Sequence, residues 1–192
     1  MSIENNENRW NDLSSGLSFT DSDAAPEGGV DSMDKVQRIW EHPLFQESLH
    51  RIEELERTRI FCGHDRTHLF DVARIAYIEN LEQQMQIPKY LIYAAALLHD
   101  IGRHLQYQER IPHHEGSAML AEKILPECGF SAEDTARILE AIRSHRDKTM
   151  RTGSGLPGLI YRADKRSRCC FACPAEPECD WEDEKKNMKW SV

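Results

Sequence analysis

The sequence predicts a single all-α domain. From Met33 onward, apolar residues recur at intervals of three and four, which is the spacing of one helix face. The segment from Tyr90 to Ile101 is apolar nearly all round, as in the central helix of a bundle, and no segment shows the alternation of a β-strand. Because 192 residues are enough for one hydrophobic core, we expect one helical bundle over residues 32–168.

Four helices are predicted in the first half of this bundle: from Val36 through Trp40, from Pro43 to Ile60, from Asp65 to about Met85, and from Tyr90 to Ile101. Pro43 suits the start of the second helix because the first turn needs no donor from its backbone nitrogen. The third helix ends before Pro88, since a residue that precedes proline disfavours helical backbone.

The second half of the bundle begins with a predicted polar loop from Arg103 to Pro112. Three helices follow it: from His113 to Pro126, from Ser131 to His145, and from Leu156 to Ala163. Ser131 has the form of an N-cap. The Gly-rich segment 152–155 lacks the Lys-Ser/Thr ending of a phosphate-binding loop, so we expect a flexible connection there.

Two segments outside the bundle differ in composition. Residues 1–31 are acidic and rich in Asn, Ser, Asp and Gly, so we expect a disordered acidic tail that buries too little apolar surface to offset its ordering entropy. The alternative is a docking segment built on its apolar residues Trp10, Leu13, Leu17 and Phe19. Residues 169–192 form an irregular Cys-rich C-terminal extension.

Charge and hydropathy exclude two classes of partner. The formal net charge of -9 argues against broad nucleic-acid binding, which needs a positive face to displace counterions from phosphates. No stretch approaches the roughly 20 apolar residues that span a bilayer. The first 30 residues have neither the basic start nor the apolar core of an export signal, so we expect a cytoplasmic protein that does not contact membranes.

The dipeptide His99-Asp100 closes the apolar run of the predicted fourth helix. Imidazole and carboxylate are both metal ligands, so this pair at the end of a buried helix indicates a metal site. Four further donors stand in a defined order around it: His68 upstream, and His113, His145 and Asp164 downstream. This ordered series resembles the HD superfamily of metal-dependent phosphohydrolases over roughly residues 33–170. Small bacterial members that cleave symmetrical dinucleoside polyphosphates are similar in motif layout up to Asp164.

The resemblance implies an HD-domain fold and two metal ions. The implied ligands of the first ion are His68, His99, Asp100 and Asp164, and those of the second are His113 and His145, with Asp100 as the bridge. A mixed imidazole and carboxylate set suits divalent iron, manganese, nickel, cobalt or zinc. His113 is favoured over His114 because it stands four residues before the small pair Ser117-Ala118, as in the family pattern, and His114 is the alternative ligand.

The resemblance also implies an activity, the hydrolysis of a phosphoester or phosphoanhydride of a nucleotide-like small substrate by a metal-bound hydroxide. The expected catalytic residues are Asp100, Arg103 and Lys165, and the expected substrate contacts are His64, His114, Arg146 and Lys148. Many relatives have Lys where this chain has Arg103, whose guanidinium still suits a phosphate; a solvated surface Arg is the alternative. Two other functions remain open: a diiron HD-type oxygenase, and a non-catalytic nucleotide or redox sensor.

Four of the six cysteines lie between Cys169 and Cys179. Cys170 and Cys173 have the spacing of a metal-binding knuckle, and the run resembles the Cys-rich ending of some clostridial-type HD proteins. We predict a structural zinc or an iron-sulfur cluster held by Cys62, Cys170, Cys173 and Cys179, with Cys169 as the alternative to Cys62. A reduced, loosely ordered tail and a disulfide are the other interpretations.

Overall fold

The computed structural model describes residues 32–189, and its regular structure is entirely helical. The eight α-helices are α1 Ser32–Glu41, α2 Pro43–Leu55, α3 Arg66–Glu82, α4 Lys89–Leu98, α5 Arg103–Glu109, α6 His113–Glu127, α7 Ala132–Ser144 and α8 Gly155–Arg166. Short 3₁₀ turns lie at Lys148–Arg151, Cys170–Ala172, Glu176–Glu178 and Asp183–Lys185. The all-α prediction is confirmed. The predicted acidic tail and its docking alternative lie outside the described residues.

Helix α4 is the centre of the bundle. It packs against α1, α3, α7 and α8, and its residues from Leu91 to Leu98 are buried apart from Tyr93. Burial on all sides explains why its sequence is apolar nearly all round. None of the helices within residues 32–189 is long and apolar enough to cross a bilayer.

Local sequence signals set several helix ends. The side chain of Ser131 accepts a hydrogen bond from the backbone N–H of Asp134 at 3.1 Å, as predicted for the start of α7. Asp65 accepts one from the backbone N–H of His68 at 3.1 Å and so caps α3. Gly129, at φ +86°, ends α6 in the left-handed conformation that glycine tolerates.

The second helix is shorter than predicted. It ends at Leu55, and Ile60 lies in the following loop with 62% of its surface exposed. The cause is Glu56, which accepts hydrogen bonds at 2.7 Å from the backbone N–H and at 2.6 Å from the ring of His64. These contacts fold the chain back toward α3, so the apolar spacing up to Ile60 does not continue the helix.

The predicted polar loop from Arg103 to Pro112 was wrong, because residues Arg103–Glu109 form α5. Gln108 and Glu109 are exposed, but the polar side chains of Arg103, His104 and Gln106 are partly or fully buried. Gln106 accepts from the backbone N–H of His113 at 3.3 Å, and His104 is only 4% exposed. Contacts with residues distant in the sequence, rather than an apolar stripe, thus stabilise this helix.

A buried carboxylate joins α3 to α8. Glu79 is 5% exposed and pairs with Arg162 at 2.6 Å and with Arg166 at 2.6 Å. Arg162 also donates to the carbonyl of Gly153 at 2.8 Å, which fixes the segment before α8. The cluster therefore holds in place the helix that carries Asp164.

Replacing Glu79 with Ala is expected to lower the free energy of unfolding by about 2 kcal/mol, because two guanidiniums lose a buried partner and only part of their charge reaches solvent. Urea unfolding followed by circular dichroism measures the change. Glu82→Ala, at the exposed end of the same helix, is the matched control and should change stability far less. Equal losses in the two variants would contradict a structural role for the cluster.

Candidate metal centre

Six His and Asp side chains converge where several helices begin or end. His68 lies in the first turn of α3, His99 and Asp100 follow α4, His113 opens α6, His145 follows α7, and Asp164 lies near the end of α8. Each is at most 6% exposed. These are the six residues predicted as metal ligands, and the structure brings all of them together.

The first group of donors consists of His68, His99, Asp100 and Asp164, whose ligand atoms all lie within 4.8 Å of one another. Nε2 of His68 is 3.5 Å from Oδ2 of Asp100 and 3.5 Å from Oδ1 of Asp164. Nε2 of His99 is 3.3 Å and 4.0 Å from the same two oxygens. Such spacing suits two imidazoles and two carboxylates around one ion.

The second group consists of Asp100, His113 and His145, also within 4.8 Å. Here the facing atom is the other oxygen of Asp100: Oδ1 lies 3.4 Å from Nε2 of His113 and 3.6 Å from Nε2 of His145. The two imidazole nitrogens are 3.1 Å apart. Asp100 thus presents one oxygen to each group, which is the arrangement of a carboxylate that bridges two cations.

Outer hydrogen bonds aim the imidazoles at this centre. Nδ1 of His99 donates to the carbonyl of Ala96 at 2.7 Å, and Nδ1 of His145 donates to that of Ile142 at 2.6 Å. Each ring therefore keeps a lone pair on Nε2, the tautomer that a metal ligand needs.

The other two rings are held by side chains. Nδ1 of His68 donates to Oγ of Ser167 at 3.0 Å, and that hydroxyl donates to the carbonyl of Asp164 at 2.7 Å. Nδ1 of His113 lies 2.5 Å from Oε1 of Gln106 and 2.7 Å from Nη1 of Arg103, and these two side chains hold the ring. All four Nε2 atoms consequently face the carboxylates.

Two atoms of the centre show that the donor set fits a cation. Nε2 of His99 and Oδ1 of Asp100 are buried and have no hydrogen-bond partner. Buried polar atoms are normally paired, and an unpaired one costs about 1–3 kcal/mol. A divalent ion would satisfy both atoms, and mixed imidazole and carboxylate donors suit a transition metal.

Charge and burial keep His68, His113 and Asp100 in their ligating protonation states, whereas at His99 the raising effect of the Asp100 carboxylate outweighs burial and the pKa is raised. Burial lowers the pKa of His68 to about 4 and that of His113 to about 2, with Arg168 and Arg103 respectively adding to the effect. Burial alone would raise the pKa of Asp100, but the surrounding imidazoles, His99 first, hold it well below its ordinary value. At neutral pH, His68 and His113 are thus uncharged and Asp100 is ionised.

A close backbone contact positions α5 and α6 at the centre. Gly102 donates its backbone N–H to Oγ of Ser117 at 2.9 Å, and a side chain at Gly102 would collide with the backbone of Gly116 and Ser117. Glycine is therefore needed at this position. The contact brings the start of α6, and with it His113, next to Asp100.

A cavity of about 210 Å³ opens onto the centre. Its wall includes Asp100, Asp164, His113 and His145 from the two groups, together with Tyr161 and Trp181. Six cationic side chains also line it: Arg103, Arg146, Lys148, Lys165, Arg168 and Lys185. In a chain of net charge -9, this concentration of positive charge favours an anionic ligand.

The predicted catalytic and substrate residues lie on this wall, with one exception. Arg103 places its guanidinium between His64 and His113, 3.0 Å from Nε2 of the first and 2.7 Å from Nδ1 of the second. Lys165 pairs with Asp164, while Arg146 and Lys148 are exposed at the rim.

The exception is His114, which does not line the cavity and belongs to neither ligand group. Its Nε2 faces Glu115 at 3.7 Å. Consecutive residues of a helix project about 100° apart, so His113 and His114 cannot both face the centre. The preference for His113 over His114 therefore agrees with the geometry.

Several residues at the centre were missed in the sequence. Arg168 is 7% exposed, and its Nη2 lies 3.0 Å from Nε2 of His68 and 3.7 Å from Oδ1 of Asp164. No helical spacing could have revealed it, because it lies beyond Arg166, the last residue of α8. Gln106 contacts His113, 7 residues later, and Glu56 contacts His64, 8 residues later. Neither contact lies within one helix, so the apolar spacing of the sequence did not indicate it.

Glu56 positions His64 and, through it, Arg103. Nδ1 of His64 donates to Glu56 at 2.6 Å, so Nε2 accepts from Arg103. Burial raises the pKa of Glu56, but hydrogen bonds from His64 and from the hydroxyl of Tyr107 lower it from 4.5 to about 2. Ionised Glu56 is thus favoured by the folded state.

This lowered pKa predicts an acid-sensitive contribution to stability. Ionised Glu56 stabilises the fold above its ordinary pKa of 4.5, and the stabilisation is lost as pH falls from 4.5 toward 2. In metal-free protein, the difference in unfolding free energy between wild type and Glu56→Gln should shrink over that range. Glu54→Gln, an exposed carboxylate on α2, is the control, and a difference independent of pH would contradict the prediction.

The predicted thiol ligands lie together at a separate place. Cys62, Cys170, Cys173 and Cys179 line one small cavity with Phe61 and Trp181, and Cys169 is exposed outside it. Burial raises the pKa of Cys62, and the other three thiols add to the effect. Within residues 32–189, three or more donor atoms lie within 4.8 Å of one another in the two His and Asp groups. No three of the sulfur atoms are that close together.

Comparisons with known proteins agree with the geometry of the centre. Residues 66–175 match the HD domain family. An uncharacterised protein of Clostridium beijerinckii is 40% identical over 157 residues, which cover 82% of this chain and 98% of that protein. Among solved structures, a predicted HD superfamily hydrolase from an uncultured Thermotogales bacterium has a TM-score of 0.54 and 26% identity, over 80% of this chain and 87% of that one. The matched range contains all six donors.

Proposed function

This chain belongs to the HD domain family. We propose that it is a metal-dependent phosphohydrolase that cleaves a phosphoester or phosphoanhydride bond of a nucleotide-like substrate. The observation that carries the proposal is the position of the His and Asp groups at the base of a cavity lined by six cationic side chains. The resemblance to a predicted HD superfamily hydrolase supports the reaction class. The substrate is argued from this chain's own pocket, because pockets differ within a superfamily.

Divalent metal ions held by the two groups would lower the pKa of a bound water and neutralise charge on phosphoryl oxygens. The residues of the chain do the positioning. Asp100 orders both groups, since each of its oxygens faces one of them. Arg103, fixed by His64, and Lys165, paired with Asp164, can donate hydrogen bonds to a phosphate in the cavity.

A second cleft supports a substrate with more than one phosphate. It has a volume of about 510 Å³ and shares Lys148, Tyr161, Lys165 and Lys185 with the first cavity. Arg151, Arg162 and Arg166 add cations to its wall, which also contains the carboxylates of Glu182 and Glu184. Arg162 and Arg166 are paired with Glu79, so Arg151, Lys148, Lys165 and Lys185 are the cations nearest to a phosphate chain in this cleft. A chain of phosphates could follow these cations out of the centre, and the rings of Tyr161 and Trp181 offer apolar faces for a base.

A screen of phosphate release tests the proposal. The substrates are nucleoside mono-, di- and triphosphates and dinucleoside polyphosphates, each with metal-free protein reloaded with manganese, iron, cobalt, nickel or zinc. We expect release that depends on added metal and disappears with a chelator. Oxygen uptake with reduced iron and no phosphate release would contradict the proposal in favour of an oxygenase, and nucleotide binding without turnover would contradict it in favour of a sensor.

A further inference from the structure

The C-terminal segment and the loop before α3 meet at a cavity lined by thiols. Cys62 comes from the loop, and Cys170, Cys173 and Cys179 come from the segment more than 100 residues later. All six cysteines of the chain are free. The lining has the composition of a closed structural metal site. Four of its residues are cysteines, none is a histidine, and Glu176 is its one carboxylate.

We propose that Cys62, Cys170, Cys173 and Cys179 bind one divalent cation that prefers thiolate ligands, zinc by its chemistry, at a site separate from the His and Asp groups. The open volume of the cavity is about 10 Å³, close to that of a single water molecule. This space fits one ion and is too small for a multi-iron cluster.

Short turns present three of the four thiols. The turn Cys170–Ala172 closes with a hydrogen bond from the backbone N–H of Cys173 to the carbonyl of Cys170 at 3.1 Å. The next turn closes in the same way between Cys179 and Glu176, at 3.1 Å. Both turns therefore end on a cysteine of the cavity. Cys170 is 7% exposed, whereas Cys169 faces solvent, which assigns the fourth position to Cys62.

Binding would change the thiols in a defined way. The sulfurs line the cavity without three of them approaching within 4.8 Å, so the side chains must rotate about Cα–Cβ to meet one ion. Each ligand loses its proton to solvent, and four thiolates with one divalent ion carry a net charge of -2. Arg168, whose charge acts on Cys62, would offset part of that charge, while Lys186 on the cavity wall is paired with Glu176 at 2.8 Å.

The thiol site would also fix one wall of the cavity at the His and Asp groups. Trp181 lines both cavities, and Lys185, beside Lys186, lines the cavity at the His and Asp groups. Arg168 precedes Cys170 by two residues, donates to the carbonyl of Gly63 next to Cys62, and contacts His68. This consequence rests on the proposed function: losing the thiol-bound ion should raise KM about tenfold with little change in kcat, because the His and Asp groups stay intact.

Cobalt titration of metal-free, reduced full-length protein tests the site directly. The His and Asp groups also take up cobalt, so we expect the thiolate charge-transfer and intense visible bands of tetrahedral sulfur coordination to saturate at the intensity of one sulfur-bound ion per chain, and zinc to displace them. Cys173→Ser should lose at least about nine-tenths of this signal. Cys128→Ser, a buried cysteine at the end of α6, is the matched control and should keep it.

Three outcomes would overturn the inference. They are the absence of thiolate bands in the wild-type protein, unchanged bands in Cys173→Ser, and acid-labile sulfide in protein purified without oxygen, which would indicate an iron-sulfur cluster. The wild-type titration needs no variant to fold. The Asp100→Ala variant keeps the four thiols. Thiolate bands in this variant support the thiol site whether or not phosphate is released, so the thiol site is tested independently of the proposed function.

Discussion

Replacing Asp100 with Ala is expected to reduce phosphate release by about 1,000-fold or more, because the two groups of donors share this one carboxylate. Its Oδ2 faces His68 and His99, and its Oδ1 faces His113 and His145. A single substitution should therefore weaken both metal positions. Turnover of the best substrate and elemental analysis of the same sample measure the two effects together.

Asp71→Ala is the matched control for this prediction. Asp71 lies on α3, one turn after His68, and its ion pair with Arg74 at 3.7 Å is exposed, so its loss should cost little. Circular dichroism shows whether each variant remains helical. Turnover within a few-fold of wild type in a folded, metal-depleted Asp100→Ala would refute the role of the shared carboxylate.

Much of this centre could be predicted because its ligands stand where helical periodicity stops. His99 follows α4, His113 opens α6 and His145 follows α7, so each marks a helix end that apolar spacing already located. Periodicity cannot say, however, that Asp164 meets His68 across nearly a hundred residues. The prediction that these donors converge came from the resemblance to the HD superfamily, and the distances between the donors support it.

The surroundings of the centre could not be predicted, because they depend on contacts without a periodic signal. Helix α5 contains one residue with a purely aliphatic side chain, Leu105, among its seven. It forms because Gly102 packs on α6 and Gln106 reaches His113. Arg168 lies beyond the end of α8, where no amphipathic pattern remains to show that its guanidinium turns inward.

Replacing His113 with Ala is expected to lower metal content by about one ion per chain and turnover by about 100-fold. The reason is that His113 and His145 are the only imidazoles that face Oδ1 of Asp100 within the described residues, at 3.4 Å and 3.6 Å. The first group, with His68 and His99, keeps all its donors. Elemental analysis and phosphate release, measured on the same preparation, report the loss of the second position.

His114→Ala provides the matched control, since it removes an imidazole from the next position of the same helix. Its ring lies outside the cavity wall, so metal content and kcat should stay within about twofold of wild type. A larger loss in His114→Ala than in His113→Ala would reverse the assignment and require α6 to rotate by about 100° relative to the structure. Such a rotation would break the contact between Gly102 and Ser117, so the two variants also test how α5 and α6 pack.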